Sequence, residues 1–181
     1  MNEVQELQIE HYRGRAKNAL QEYLIHKLLY PKVYLDANLD GWKLDVLGVD
    51  RAGSGDVHGV RLVLWEPGHM DNHGYSHRLE KAAAEAVQEF VGFPGHFRYL
   101  SVVCTEPKKQ QWIPSPGIKD QSLAADGVGR VGILYLDITE EDPSVRVLLR
   151  AERFRSSKEI VELADRFVSE HTANWEFREE L

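Results

Sequence analysis

The stretch DVLGVDRAGSGDVHGVRLVLWE, from Asp45 to Glu66, constrains the fold more than any other part of the chain. Two apolar, β-branched runs flank the short turn RAGSGD, and such a pair reads as adjacent antiparallel strands. The first run carries a carboxylate, Asp45, among apolar neighbours. A buried carboxylate needs a partner. Lys43 is one candidate, since residues two apart share a strand face. Arg61 on the next strand is another, and backbone N–H groups at a turn are a third.

Around this hairpin the periodicity alternates between helix and strand. From about residue 3 to 29, Val4, Leu7, Ala16, Leu20, Tyr23, Leu24 and Leu28 recur at steps of three and four and predict a core-facing helical stripe. Gly14 costs helix stability, so this segment reads as two helices or as one with a bend; Pro31 closes it. KVYLDAN is a short strand ahead of the hairpin. Residues 76–91 return to helix, with Leu79, Ala83, Ala86, Val87 and Phe90 inward. FRYLSVVCT reads as a buried strand, too short in its apolar run for a helix. Residues 106–129 hold three prolines and three glycines without a period and predict a long loop. GRVGILYLDI and SVRVLLRAERF follow as two more strands. Ser156 to Glu159 then offers a capping box for a last helix at about 157–170, carrying Ile160, Leu163, Ala164, Phe167 and Val168. The predicted order is α-β-β-β-α-β-β-β-α. With no repeat and no linker, the 181 residues are expected to form one α/β domain, 1–181.

Composition narrows the function classes. A hydrophobic share of 43% with 28% charged residues is that of a globular protein, and no apolar run is long enough to span a bilayer, so no membrane partner is expected. The first residues, MNEVQELQIEH, do not resemble a signal peptide. Cys104 is the single cysteine, lies inside an apolar strand, and fits a core role in a reducing cytoplasm. A net charge of −7 argues against general adhesion to nucleic acid and leaves only local basic patches for it. Gly-x-Ser-x-Gly, a P-loop and a Gly-rich dinucleotide turn are all missing.

In element order and in residues, the chain resembles the restriction-endonuclease-like superfamily, the PD-(D/E)xK nucleases. KLDVLGVDRAGSGDVHGVRLV lies where that family has an apolar-Asp-apolar strand, a turn and Glu-x-Lys. KAAAEAVQEFVGFPGHFRYLSVVC resembles the helix and strand that follow, with Gln88 near the helix end, and GVGRVGILYLD resembles a later segment; the likeness covers about residues 10–150. It implies a core of helix, three-stranded antiparallel meander, helix and further strand, with a central mixed sheet flanked by helices. It also implies a site in which two carboxylates hold Mg²⁺ and a lysine serves the attacking water.

Register from the Asp45 strand puts Arg61 and Val63 where Glu and Lys belong in that family. At an effective dielectric of about 20, unit charges about 4 Å apart interact by roughly 4 kcal/mol, so Arg61 beside Asp45 would take the place of the metal. A degenerate motif with no cofactor is the resulting expectation. The alternative is an active Mg²⁺-dependent nuclease with relocated groups: Glu22 (or a lost carboxylate at Asn18) from the first helix, Asp45, and Lys43 or Lys81 as the lysine. Glu66 has the wrong parity unless a bulge corrects it.

Two further constellations stand beside their structural readings. His69, Asp71, His73 and His77 are metal-ligand types within nine residues, but Gly68, Gly74 and the lack of a helical period favour a polar loop. Lys108, Lys109 and Lys119 with Trp112 have the composition of a weak single-stranded nucleic-acid contact, or of a solvated loop. Arg150, Arg153, Arg155 and Lys158 form a second basic group. The expected function is therefore a catalytically degenerate nuclease-like domain kept for binding or assembly, with nucleic acid the first partner to test. A structural or regulatory module that binds another protein or itself is the third reading, which the aromatic tail ANWEFREEL would suit.

Overall fold

The structure, a computed structural model, describes residues 3–50, 55–65, 77–105, 112–122, 129–154 and 158–177. Eleven elements follow one another: α1 (Glu3–His26), β1 (Lys32–Leu39), β2 (Trp42–Val49), β3 (Val57–Trp65), α2 (His77–Val91), β4 (Phe97–Cys104), α3 (Pro116–Gln121), β5 (Gly132–Asp137), β6 (Ser144–Leu149), α4 (Lys158–Glu170) and β7 (Trp175–Glu176). All strands join one mixed sheet in the order β6-β5-β4-β3-β2-β1-β7. β1, β2 and β3 form an antiparallel meander, β4 and β5 run parallel to β3, and the outer β6 and β7 are antiparallel to their neighbours. The parallel step from β3 to β4 is carried by α2, the helical crossover such a connection requires.

Helix α1 covers one sheet face. Its Ala16, Leu20 and Leu24 pack with Val33, Val46, Val60 and Leu134. On the other face α4 packs Ile160, Ala164 and Phe167 over β1 and β2, while α2 packs Leu79, Ala83 and Val87 over β3, β4 and β5. Strands covered on both sides explain the near-continuous apolar runs of β4 and β5.

Several expectations need correction. Val4 and Leu7 do not belong to the inner stripe of α1: they are 71% and 67% exposed. The helix, 24 residues and so about 36 Å long, first buries a residue fully at Ala16. It runs unbroken past Gly14 to His26, and Leu29, at φ 59, turns the chain just ahead of Pro31. The segment 106–129 is not loop throughout, because Pro116–Gln121 form α3, capped by Ser115, whose hydroxyl accepts the Ile118 N–H. The tail contributes the edge strand β7, with Lys32 paired to Glu176 at 2.8 Å.

Candidate functional site

The sequence points first to Asp45, and there the sheet departs from regular alternation. In β1, Asp36 has φ 53, and it lies between the register pairs Leu35–Val46 and Ala37–Leu44, opposite Asp45. Leu44 consequently packs toward α4 and α2, and Val46 toward α1, although residues two apart in a regular strand share a face. Asp45 turns with Val46 to the α1 side. There Arg13 lies 3.5 Å from its carboxylate, and the Leu62 N–H donates to it at 2.8 Å where the β2–β3 ladder has stopped. Lys17, one turn after Arg13, pairs with Asp36.

The Asp45–Arg61 pair expected from the sequence does not form. Arg61 projects to the α2 side and donates to Glu89 at 2.8 Å, and Val63 packs on that side as well. The assumed register ignored the break at Asp36 and Asp45, which shifts the carboxylate to the other face. The β3 residues nearest Asp45 on its face are Val60, Leu62 and Leu64, with His58 further along toward the start of the strand.

The relocated groups do not assemble either. Glu22 is exposed and pairs with His26 at 2.9 Å, and Asn18 is exposed too. Lys43 is exposed on β2, and Lys81 lies on the outer side of α2, 3.8 Å from Glu85. No hydrogen bond or ion pair joins any of them to Asp45. Among the described residues no group of three or more His, Cys, Asp or Glu could hold a metal ion. Glu66, His69, Asp71 and His73 lie outside the described residues, as does the His77 side chain.

Trp112 is not available for base stacking. It is buried against α2 with Trp65 and Leu79, and its indole N–H donates to Glu80 at 3.0 Å. Lys119 is exposed on α3, whereas Lys108 and Lys109 lie outside the described residues. In the second basic group Arg150 and Lys158 are exposed, Arg155 lies outside the described residues, and Arg153 is bound to Asp56 at 2.7 Å.

A different site gathers at the start of β3 and β4, under the end of α1. A cavity of about 300 Å³ opens there, with Leu28 and Leu29 at the helix end. Tyr30, Asp50, Asp56, His58, Phe97 and Tyr99 complete its wall. Regular alternation in β3 and β4 turns His58, Phe97 and Tyr99 to the α1 side. The His58 ring stacks on Tyr99 at 5.1 Å and on Phe97 at 5.8 Å, and meets Tyr30 edge-on at 5.2 Å. Its Nδ1 lies 3.2 Å from the Tyr30 hydroxyl, and its buried Nε2 has no hydrogen-bond partner among the described residues. Burial pushes the imidazole down to about 3, against a smaller opposing effect of Asp56, so it is uncharged at neutral pH. Burial likewise holds the proton on Tyr30, reinforced by Asp56 and Asp50. Asp56 is flanked by Arg153 and, at 3.8 Å, by His96, whose Nδ1 accepts the Val57 N–H.

The sequence reading passed over this cluster because each member has an ordinary place in a strand or at a helix end. The usable signal was parity: Asp56 with His58, and Phe97 with Tyr99, are each two apart on strands now seen to be neighbours. Comparison with known protein families finds no match, and comparison with curated proteins finds none. No helix among the described residues is long and apolar enough to cross a membrane.

Proposed function

We propose that this chain is a binding or assembly module on a restriction-endonuclease-like frame that has lost metal-dependent nuclease chemistry. The order helix, antiparallel meander, helix, parallel strand supports the frame. One observation carries the loss of chemistry: Asp45 is satisfied by Arg13 and the Leu62 N–H on a face whose β3 neighbours are Val60, Leu62 and Leu64. The second carboxylate and the lysine of such a site would have to be Asp36, opposite Asp45, and Lys17, and these two are already paired with each other. Arg13 would oppose a divalent cation at Asp45 and stabilise the carboxylate without one. With Trp112 buried, a single-strand contact would lose its stacking platform, which moves the reading toward a protein or small-molecule partner. A cleavage assay on single- and double-stranded DNA and RNA with Mg²⁺ or Mn²⁺ tests it. The expected result is no cleavage above background. Cleavage that disappears in Asp45→Asn would restore the nuclease reading.

A further inference from the structure

We propose that the first turns of α1 are a docking surface for a cationic amphipathic helix of a partner protein. The inference rests on the reading of the chain as a binding module and names the kind of partner that module would take.

Residues 3–8 of α1 are all exposed, although a helix lying on a sheet buries at least one residue in each turn. The helix becomes anchored only further along. Tyr12 packs against the core on the α1 side, Arg15 donates to the Glu140 and Glu141 carbonyls of the β5–β6 turn, and Ala16 is the first residue fully buried. Two apolar side chains stand in the unpacked stretch, Val4 and Leu7. In water they forgo the free energy that burial would give.

The exposed residues are also ordered along the helix. Val4, Leu7 and His11 follow the i, i+3, i+7 spacing of one stripe, and Glu3, Glu6 and Glu10 follow the same spacing one residue earlier. At 3.6 residues per turn, the carboxylate row runs beside the apolar row, about 100° away around the axis. Glu3 and Glu6 lie in the first turn, where they also complement the helix dipole. Glu10 lies beyond that effect, and the dipole gives no reason for Val4 and Leu7. None of the three glutamates forms an ion pair with another described residue. Of the next cations along the helix, Arg13 and Lys17 are paired with Asp45 and Asp36, and Arg15 is engaged by the two carbonyls. The β5–β6 turn that Arg15 meets adds Glu140, Glu141 and Asp142, all exposed.

A surface complementary to this one has apolar side chains at helical spacing with lysine or arginine in the adjoining row. That is the pattern of a cationic amphipathic helix. The net charge of −7 on each chain opposes a second copy as the occupant, and the carboxylate row opposes an anionic membrane.

Fluorescence anisotropy of the full chain with a labelled amphipathic peptide of leucine and lysine, about 18 residues so that it is helical, tests this. The same peptide with glutamate for lysine is the control. The Leu/Lys peptide is expected to bind about tenfold or more tightly than the Leu/Glu peptide, and to weaken as salt rises from about 0.05 to 0.5 M. Leu7→Ser, and separately Glu6→Gln combined with Glu10→Gln, should each weaken it about threefold or more with little change in the thermal melt. Glu159→Gln combined with Glu162→Gln makes the same change of charge on α4, over the other sheet face, and should leave binding as it is. An equal loss in that variant, or no loss in Leu7→Ser, would overturn the inference and leave general adhesion to an acidic protein. A dimer in sedimentation that Leu7→Ser dissociates, or binding to phosphatidylserine vesicles that depends on Leu7, would overturn it in favour of another occupant. Metal-dependent cleavage in the nuclease assay would count against the module reading and leave these binding results standing, so the two failures are distinguishable.

Discussion

Asp45 and His58 are both polar side chains turned toward α1, and their partners separate a structural role from an open one. Asp45 has its needs met, by a guanidinium on one side and a backbone N–H on the other. Asp45→Ala therefore leaves the Leu62 N–H without its acceptor, and the expected cost is about 1–3 kcal/mol. Asp45→Asn keeps an acceptor oxygen and should cost less; urea unfolding of the two variants checks the order. A carboxylate held for catalysis tends to behave in the opposite way, since its removal relieves strain in the site. His58 makes a separate prediction. Its folded value, about 3, lies below the ordinary imidazole value, so the unfolded chain takes up a proton that the folded chain refuses. The resulting stability is fully present above about pH 6.5 and is lost as pH falls toward 3, by up to about 1.4 kcal/mol per unit. Between pH 7 and pH 5 the native protein should lose stability more steeply than His58→Gln, and equal slopes would contradict the buried neutral ring. Neither environment could be read from the sequence. The partner of Asp45 comes from α1, far away in the chain, and the wall of the His58 cavity comes from four separate elements.

At the scale of elements, the meander, α2 and β4 were legible, because their apolar periods are strong and their turns carry Gly or Pro. The hairpin at RAGSGD forms between the two strands the pattern marks out. What the pattern could not give was the face each residue takes in β2. A single residue at φ 53 in β1 shifts the alternation, and no period of two records that. Length also misleads: the apolar spacing of α1 extends past the part that packs. Close packing between elements was equally hidden. Gly48 of β2 lies directly under the end of α1, where an added Cβ would stand 2.9 Å from Leu24 and from Tyr30. Gly48→Ala should therefore push the helix end off the sheet at a cost of about 1–3 kcal/mol. A thermal melt of this variant would show the loss, and an unaltered melt would mean that α1 sits more loosely than described.

For the whole molecule, one sheet carries two polar places on the same face, and they differ in kind. The central place at Asp45 is closed by Arg13, with the Lys17–Asp36 pair beside it and apolar β3 side chains below. The place at the start of β3 and β4 is a cavity whose imidazole Nε2 has no partner among the described residues. A net charge of −7 and a buried Trp112 give little encouragement to a nucleic-acid partner, and Arg153 is already engaged with Asp56. The α/β class and most of the element order were legible in the sequence. The proposal that metal chemistry has been lost rests on the face of Asp45, because Arg61, the residue first aligned with it, serves Glu89 on the far side. Calorimetric titration of Mn²⁺ into the full chain tests that central claim most directly. The account predicts no saturable site that depends on Asp45, with Asp45→Asn and the native protein giving the same trace. One Mn²⁺ bound per chain at micromolar affinity, abolished in Asp45→Asn, would contradict it.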